Sequence, residues 1–254
     1  MSSTFAGRSA LITGAASGIG AASAHWLAAH GIAELVLVDI DAAGLDALDL
    51  PCQTRQFVGD VADPALWQRV EAEVPRLDHA LINAGVANGG PLTGLDFAEW
   101  RRILAINLDG AFLALRSALR LMQRGSGPRS VVVTSSAAGM KAVPMTAAYG
   151  TSKAAVAHLA RVAAAEHLAD GIRVNAIAPG RVETPIWTKT DEFRAREAEL
   201  GGREAALEAA AADLPVAGGF VSAELMAGQI GWLLCDEAAN ITGMVLTSDG
   251  GYTL

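Results

Sequence analysis

The chain has 254 residues, of which 52% are hydrophobic and 18% charged, a balance that fits a core-rich globular protein and excludes a disordered one. A formal net charge of −8 with no basic run argues against binding nucleic acid or an anionic membrane surface, both of which need concentrated Lys and Arg. No apolar run approaches the ~18 residues of a membrane span, the first residues lack a secretory pattern, and Cys52 and Cys235 lack disulfide-framework or metal-ligand spacing. The expectation is therefore a cytoplasmic protein with free thiols and no bound metal.

Residues 8–14, RSALITG, are a short apolar run ending in Thr-Gly and predict a buried strand and its turn. A helix follows to about His30, where Gly31 supplies the stop. Strands are predicted over 33–41, 55–61 and 78–85, with helical patterns between them. In the helix over 63–74, Asp63 is placed to cap and Pro64 to occupy the first helical position. Residues 96–123 read as a long helical region with a weak interior at NLDG, 107–110. A strand over 129–136, a helix over 147–169 and a strand over 172–180 come next. A charged, alanine-rich helical stretch over 185–213, a helix at 222–235 and a strand over 243–251 complete the chain. Near-continuous Val/Ile/Leu strands alternating with helices predict a parallel sheet covered on both faces. The expected fold is α/β, a single doubly wound Rossmann-type domain over 1–254, with 185–213 as a substrate lid.

TGAASGIG places Gly14, Gly18 and Gly20 at the first strand-to-helix junction. Glycines there let the backbone turn tightly and approach a pyrophosphate, while the helix start offers unpaired N–H groups. The spacing is GxxxGxG, not GxGxxG, and a glycine loop alone is also a plain structural turn. Asp39 ends the second apolar run nineteen residues past Gly20, where a carboxylate accepts from an adenosine ribose and repels a 2′-phosphate. Ile40 and Asp41 follow it, and the loop carries Ser17 instead of a basic residue. These features favour NAD(H) over NADP(H). Asp60 and Val61, read as ending the third strand, and Asn83, Ala84 and Gly85, ending the fourth, belong to the same rim; Asp60 is placed for the adenine amino group and Val61 for a ring face.

In AAYGTSKAAV, Tyr149 precedes Lys153 by one helical turn. A tyrosine with an ordinary pKa of about 10 is a poor base, and bringing it to 7 takes about 4 kcal/mol. A cation within about 4–6 Å favours the phenolate, and residues four apart on a helix reach that distance. An oxidised nicotinamide nearby adds a second positive charge. Ser136, at the end of SVVVTSS, can hold a carbinol or carbonyl oxygen while Tyr149 moves the proton.

TGAASGIG, DV at 60–61, NAG at 83–85, Asn107, SSAAG at 135–139, YGTSK at 149–153, RVNAIAPGRVETP and SDGG at 248–251 occur in an order that resembles the short-chain dehydrogenase/reductase family. The resemblance implies a sheet of about seven parallel strands and usually a homotetramer, with a dimer as the alternative. It implies Tyr149 as acid/base, Ser136 as substrate anchor, and Lys153 on the nicotinamide ribose, depressing the tyrosine pKa. By the same resemblance, Asn107 is expected to bend its helix and hold a water linking the lysine to solvent. Cofactor contacts are expected at Gly14, Ser17, Gly18, Ile19, Gly20, Asp39, Asp60, Val61, Asn83, Ala84, Gly85, Pro179, Gly180, Val182 and Thr184, besides Tyr149 and Lys153. The family commonly has an arginine where this chain has Gly219, a departure in the substrate flap. Met140, Val143, Met145 and Trp187 suggest an apolar substrate wall.

Together these readings predict an NAD-dependent oxidoreductase interconverting a small secondary alcohol and a ketone. The competing readings are an NADPH-dependent 3-oxoacyl carrier-protein reductase and a non-enzymatic nucleotide-binding regulator. Intact Ser136, Tyr149 and Lys153 argue against the regulator, and Asp39 against the reductase.

Overall fold

The structure, a computed structural model, describes residues 5–87, 89–188, 191–211 and 220–254. Its sheet contains β1 (Ser9–Thr13), β2 (Glu34–Asp39), β3 (Gln53–Val58), β4 (His79–Ile82), β5 (Arg129–Thr134), β6 (Ile172–Pro179) and β7 (Val245–Ser248). All pairings are parallel, in the order β3-β2-β1-β4-β5-β6-β7. The inner strands are apolar through both faces, as helix-covered parallel strands must be: β1 and β4 are buried at every position. β3 differs. It is an edge strand paired with β2, exposed at four of its six positions with Phe57 buried, so polar Gln53 and Thr54 conceal a start two residues earlier than expected. It also ends at Val58, leaving Asp60 and Val61 in the following turn.

Helices α1 (Gly18–Ala29), α2 (Ala42–Asp46) and α3 (Pro64–Glu73) connect the first four strands. The stop and start signals act as expected. Gly31 adopts φ +85° after α1, and Asp63 accepts the Ala65 N–H at the start of α3, with Pro64 in its first turn. The long helical region is two helices, α4 (Phe97–Leu104) and α5 (Gly110–Gln123), joined by a π-helical turn over Ala105–Asp109. That turn contains Asn107 and realises the predicted weak interior; π-turns are uncommon and concentrate at functional sites.

Downstream lie α6 (Ala137–Met140), α7 (Ala147–Glu166), α8 (Pro185–Thr188), α9 (Asp191–Leu200), α10 (Arg203–Ala211) and α11 (Ala223–Leu234). One core cluster gathers residues of α3, α5 and α7 on one face of the sheet; a second gathers α1 and α11 on the other. α1 and α11 approach closely because Gly231 leaves room for the Trp26 ring: a Cβ there would lie 2.1 Å from it. Residues 189–190 and 212–213 of the expected lid, and Gly219, fall outside the described residues. No helix among the described residues is long and apolar enough to cross a membrane.

Strand order reverses between β1 and β4. Helices leave the carboxyl ends of those strands toward opposite faces, which opens a crevice at that rim, the place where such sheets take ligands.

Candidate active site

A cleft of about 550 Å³ opens at this rim. Its β1 side is the glycine loop. Gly14 and Gly18 hold φ +66° and +53°, conformations that strain any residue with a Cβ. A Cβ on Gly20 would lie 1.9 Å from the Gly14 carbonyl oxygen, so Gly20 lets α1 start directly under the loop. Gly14, Ser17, Gly18 and Ile19 line the cleft, and Gly20 sits behind them. Ser17 is at the helix start without a side-chain cap bond. The first amides of α1 thus meet the cleft as an anion site, and the cradle fits a dinucleotide pyrophosphate.

Asp39 ends β2 and lines the cleft. Its two oxygens accept the Ala16 N–H at 2.9 Å and the Asp41 N–H at 3.0 Å, which fixes the carboxylate while each oxygen keeps a lone pair. Asp60 also lines the cleft, but from a turn in which its Oδ1 accepts the Ala62 N–H at 2.9 Å. Val61 beside it is buried, and its carbonyl accepts the Trp67 indole N–H. The strand ends earlier than expected because an Asx-turn at Asp60 offers the backbone an alternative to the ladder. Asn83, Ala84 and Gly85 follow β4 along the cleft floor. Thr13 Oγ1 accepts the N–H groups of Asn83 and Ala84, at 2.8 and 3.0 Å, and the Asn83 amide donates to the Thr13 carbonyl. These bonds tie the two strands across the switch point.

The predicted reactive residues converge. Ser136 lies two residues beyond β5 as the N-cap of α6, its Oγ accepting the Ala138 N–H at 3.2 Å. Its hydroxyl faces the Tyr149 phenol at the start of α7, near enough to act on the phenol's pKa. Lys153 is 4% exposed; its Nζ donates to the Thr134 carbonyl at 2.9 Å and lies 5.9 Å from the Tyr149 ring centroid. Burial lowers the Lys153 pKa to about 8. Burial raises that of Tyr149, with the Ser136 hydroxyl pulling it down. The expected depression of the phenol thus does not arise from the protein's own groups, because desolvation of the phenolate outweighs the favourable ones.

Asn107 does not line the cleft but is buried behind it. Its amide donates to the Val86 carbonyl at 2.9 Å and accepts the Val86 N–H at 2.8 Å. Asn107 Oδ1 and Lys153 Nζ flank Gly85; a Cβ there would lie 3.2 Å from each.

Pro179 and Gly180 extend β6, the Gly180 N–H donating to the Ser248 carbonyl. Val182 and Thr184 are buried beyond it, and the Thr184 methyl lies against Gly18. All four line the cleft, as does Trp187, which packs edge-to-face on Phe220 at 5.8 Å. Met140, Val143 and Met145 are not among the residues lining the cleft; Met140 is 37% exposed and Met145, at φ +71°, is 53% exposed. The apolar wall is built by Val86, Ala87, Ile186 and Trp187. Sequence reasoning missed Val86, Ala87, Ile106 and Arg102, which reach the cleft through the β4 loop and the α4 end; only the adjacency of Ile106 to Asn107 signals any of them. Among the described residues no group of three His, Cys, Asp or Glu could hold a metal ion.

A family model described as enoyl-(acyl carrier protein) reductase matches residues 14–253. A cis-4-hydroxycyclohexanecarboxylate dehydrogenase of Sinomonas cyclohexanicum is 38% identical, over 100% of this chain and 99% of the relative. A 2,5-dichloro-2,5-cyclohexadiene-1,4-diol dehydrogenase of Sphingobium indicum is 34% identical, over 99% of each. The crystal structure of a levodione reductase superposes with a TM-score of 0.86 at 32% identity, covering 98% of both chains.

Proposed function

The chain belongs to the short-chain dehydrogenase/reductase family, and from that premise we propose that it is an NAD-preferring oxidoreductase of small secondary alcohols with Tyr149 as acid/base. The observation that carries the assignment is the convergence of Ser136, Tyr149 and the buried Lys153 ammonium on one cleft, with Lys153 Nζ 5.9 Å from the Tyr149 ring centroid. In the oxidation direction the Ser136 hydroxyl donates to the carbinol oxygen, and the Tyr149 oxygen takes the carbinol proton. Lys153, with a pKa of about 8, is mostly an ammonium at pH 7 and favours the phenolate. Burial opposes that charge, so phenolate formation relies on positive charge at the cleft. A bound nicotinamide supplies the hydride acceptor and the second positive charge; the chain supplies orientation, proton transfer and exclusion of water. Asn83, Thr184 and the glycine loop hold the dinucleotide against the rim, and α8 to α10 form the substrate lid of one catalytic domain.

Asp39 supports the coenzyme preference, because a carboxylate fixed by two amides accepts from ribose hydroxyls and repels a 2′-phosphate. The apolar wall of Val86, Ala87, Ile186 and Trp187 supports an apolar substrate. Two relatives act on ring alcohols by name, and a cyclic secondary alcohol or ketone is the class we assign. The family resemblance, with Phe112, Leu225 and Trp232 partly exposed on helices, supports a homotetramer in the cytoplasm, which a mass measured by light scattering tests.

A panel of cyclic and acyclic alcohols and ketones, with both coenzymes and NADH absorbance as readout, tests the assignment. We expect turnover of ring alcohols with NAD. Faster turnover of a 3-oxoacyl thioester with NADPH would favour the competing reductase, and no turnover with any pair the regulator. Asp39→Ala is expected to lower the NAD/NADP ratio of kcat/KM about tenfold or more, a loss of about 1.4 kcal/mol in discrimination; an unchanged ratio removes the coenzyme assignment.

A further inference from the structure

We infer that Ser152 is a positioning residue that couples the π-turn at Asn107 to the turn of α7 carrying Tyr149 and Lys153. The inference rests on the acid/base reading of Tyr149 and deepens it. Ser152 is fully buried. Its hydroxyl donates to the Tyr149 carbonyl at 2.7 Å and accepts from the Asn107 amide at 3.1 Å. A serine bonded to the carbonyl three residues back is common in helices, where by itself it only adjusts local bend. The second bond changes its meaning. Asn107 is already clamped to both backbone groups of Val86, and Val86 lines the cleft wall. A single hydrogen-bonded chain therefore runs from the wall, through Asn107 and Ser152, to the backbone of the proton-transferring residue.

The other end of the same turn is held separately. The Ser135 hydroxyl donates to the Lys153 carbonyl at 2.7 Å, and Lys153 Nζ donates to the Thr134 carbonyl. α6 presses on this turn as well, for a Cβ on Gly139 would lie 2.7 Å from the Ala154 nitrogen. β5 and α6 thus fix Lys153, while Ser152 fixes the Tyr149 end to the π-turn. The spacing between phenol and ammonium depends on both anchors, and displacements near 1 Å are enough to cost catalysis. This gives the π-turn a purpose: an ordinary α-helix through 105–109 would aim the Asn107 amide elsewhere.

The test compares Ser152→Ala, which removes the hydroxyl, with Ser152→Thr, which keeps one able to bond backward along the helix. Two readouts are used. The first is kcat and KM for oxidation of the alcohol turned over in the panel, across pH. The second needs no substrate: in a Tyr252→Phe background Tyr149 is the single tyrosine, so ultraviolet absorbance of the NAD complex reports its ionisation directly. Ser152→Ala is expected to lower kcat about tenfold, with KM within about twofold, and to move the phenol midpoint and the alkaline-rising limb of kcat upward by about one unit. Ser152→Thr is expected to recover most of both effects. Thermal midpoint and NADH binding verify that each variant is folded. An unmoved phenol midpoint in folded Ser152→Ala overturns the inference, whatever happens to the thermal midpoint, since a purely structural hydroxyl would leave the titration alone. Failure of the panel or near-normal turnover in Tyr149→Phe would instead remove the underlying reading.

Discussion

At the amino ends of β1, β4, β5 and β6, Asp78, His79, Ser130 and Arg173 turn their polar atoms onto neighbouring backbone and core. At the carboxyl ends of the same strands, Asn83 and Thr134 line a cleft with Lys153 of α7, and Thr13 ties β1 to the chain after β4. Both rims are rich in side-chain hydrogen bonds, but those bonds serve different ends. Below, Asp78 accepts the N–H and hydroxyl of Ser9, at 2.9 and 3.2 Å, and Ser130 donates to the Leu234 carbonyl. Arg173 donates to the Leu233 and Leu234 carbonyls, closing the C-terminus of α11 that no intrahelical donor reaches, and to the Cys235 and Ile241 carbonyls beyond it. Above, the bonds hold groups where they are poorly placed for stability: Lys153 is a buried cation whose hydrogen-bond partner among the described residues is a carbonyl. The lower rim is built to be stable and the upper to be reactive, as expected when strain and desolvation concentrate at a site.

Substitutions break this contrast cleanly. Tyr149→Phe removes one hydroxyl at the upper rim and is expected to lower kcat at least about a thousandfold, roughly 4 kcal/mol of barrier. NADH binding, followed by fluorescence, and the thermal midpoint are expected to change little. Near-normal turnover would place the chemistry elsewhere. Arg173→Met at the lower rim is expected to do the reverse. The Leu233 carbonyl loses its side-chain donor, while Leu234, Cys235 and Ile241 keep the Ser130 hydroxyl, the Ala238 N–H and the Asn175 amide, so the cost is about 1–3 kcal/mol. Denaturant unfolding should show the loss, while kcat at 25 °C stays within about twofold. A large fall in kcat with unchanged stability would show that the rims are coupled.

The upper rim was far more legible in the sequence than the lower. Gly14, Gly18 and Gly20 report their roles by spacing, because only glycine tolerates those turns. Tyr149 and Lys153 report theirs because a helix fixes where residues four apart point. Asp63 with Pro64 and the Asn107 interior are likewise local signals, read within a few residues. What failed or was missed depends on distant partners. Val86 and Ile186 reach the cleft from the loop after β4 and from α8, and no local pattern marks either. β3 hid its start because an edge strand needs no apolar alternation. Ser152 was visible inside YGTSK, yet only the tertiary placement of Asn107 gives its hydroxyl a second partner. Arg173 reads as an ordinary strand residue, since nothing in RVNAIAP announces the helix sixty residues later whose carbonyls it closes.

The smallest expected effect at neutral pH, and the one that best separates the rims, belongs to His79. It is fully buried, with its ring edge-on to Phe5 at 5.2 Å. Ser130 commits its own proton to the Leu234 carbonyl, so the His79 Nδ1 contact at 2.8 Å is a donation from the ring, a tautomer assigned from the network. Nε2 then holds a buried lone pair without a hydrogen-bond partner. Protonating it would place an unpaired N–H⁺ in the core. Burial lowers the pKa to about 4, with Arg8 and Arg173 lowering it further and Asp78 and Asp236 opposing them. A depressed folded-state pKa favours the neutral ring, so this contribution is complete above the unfolded value of about 6.5. It is lost as pH falls toward 4, reaching about 3 kcal/mol there. Denaturant unfolding at pH 7 and pH 5 measures it: wild type should lose about 2 kcal/mol more than His79→Leu between those values. Equal losses in the two proteins would mean that the ring finds an acceptor when charged, and the lower rim would then share the reactive character of the upper one.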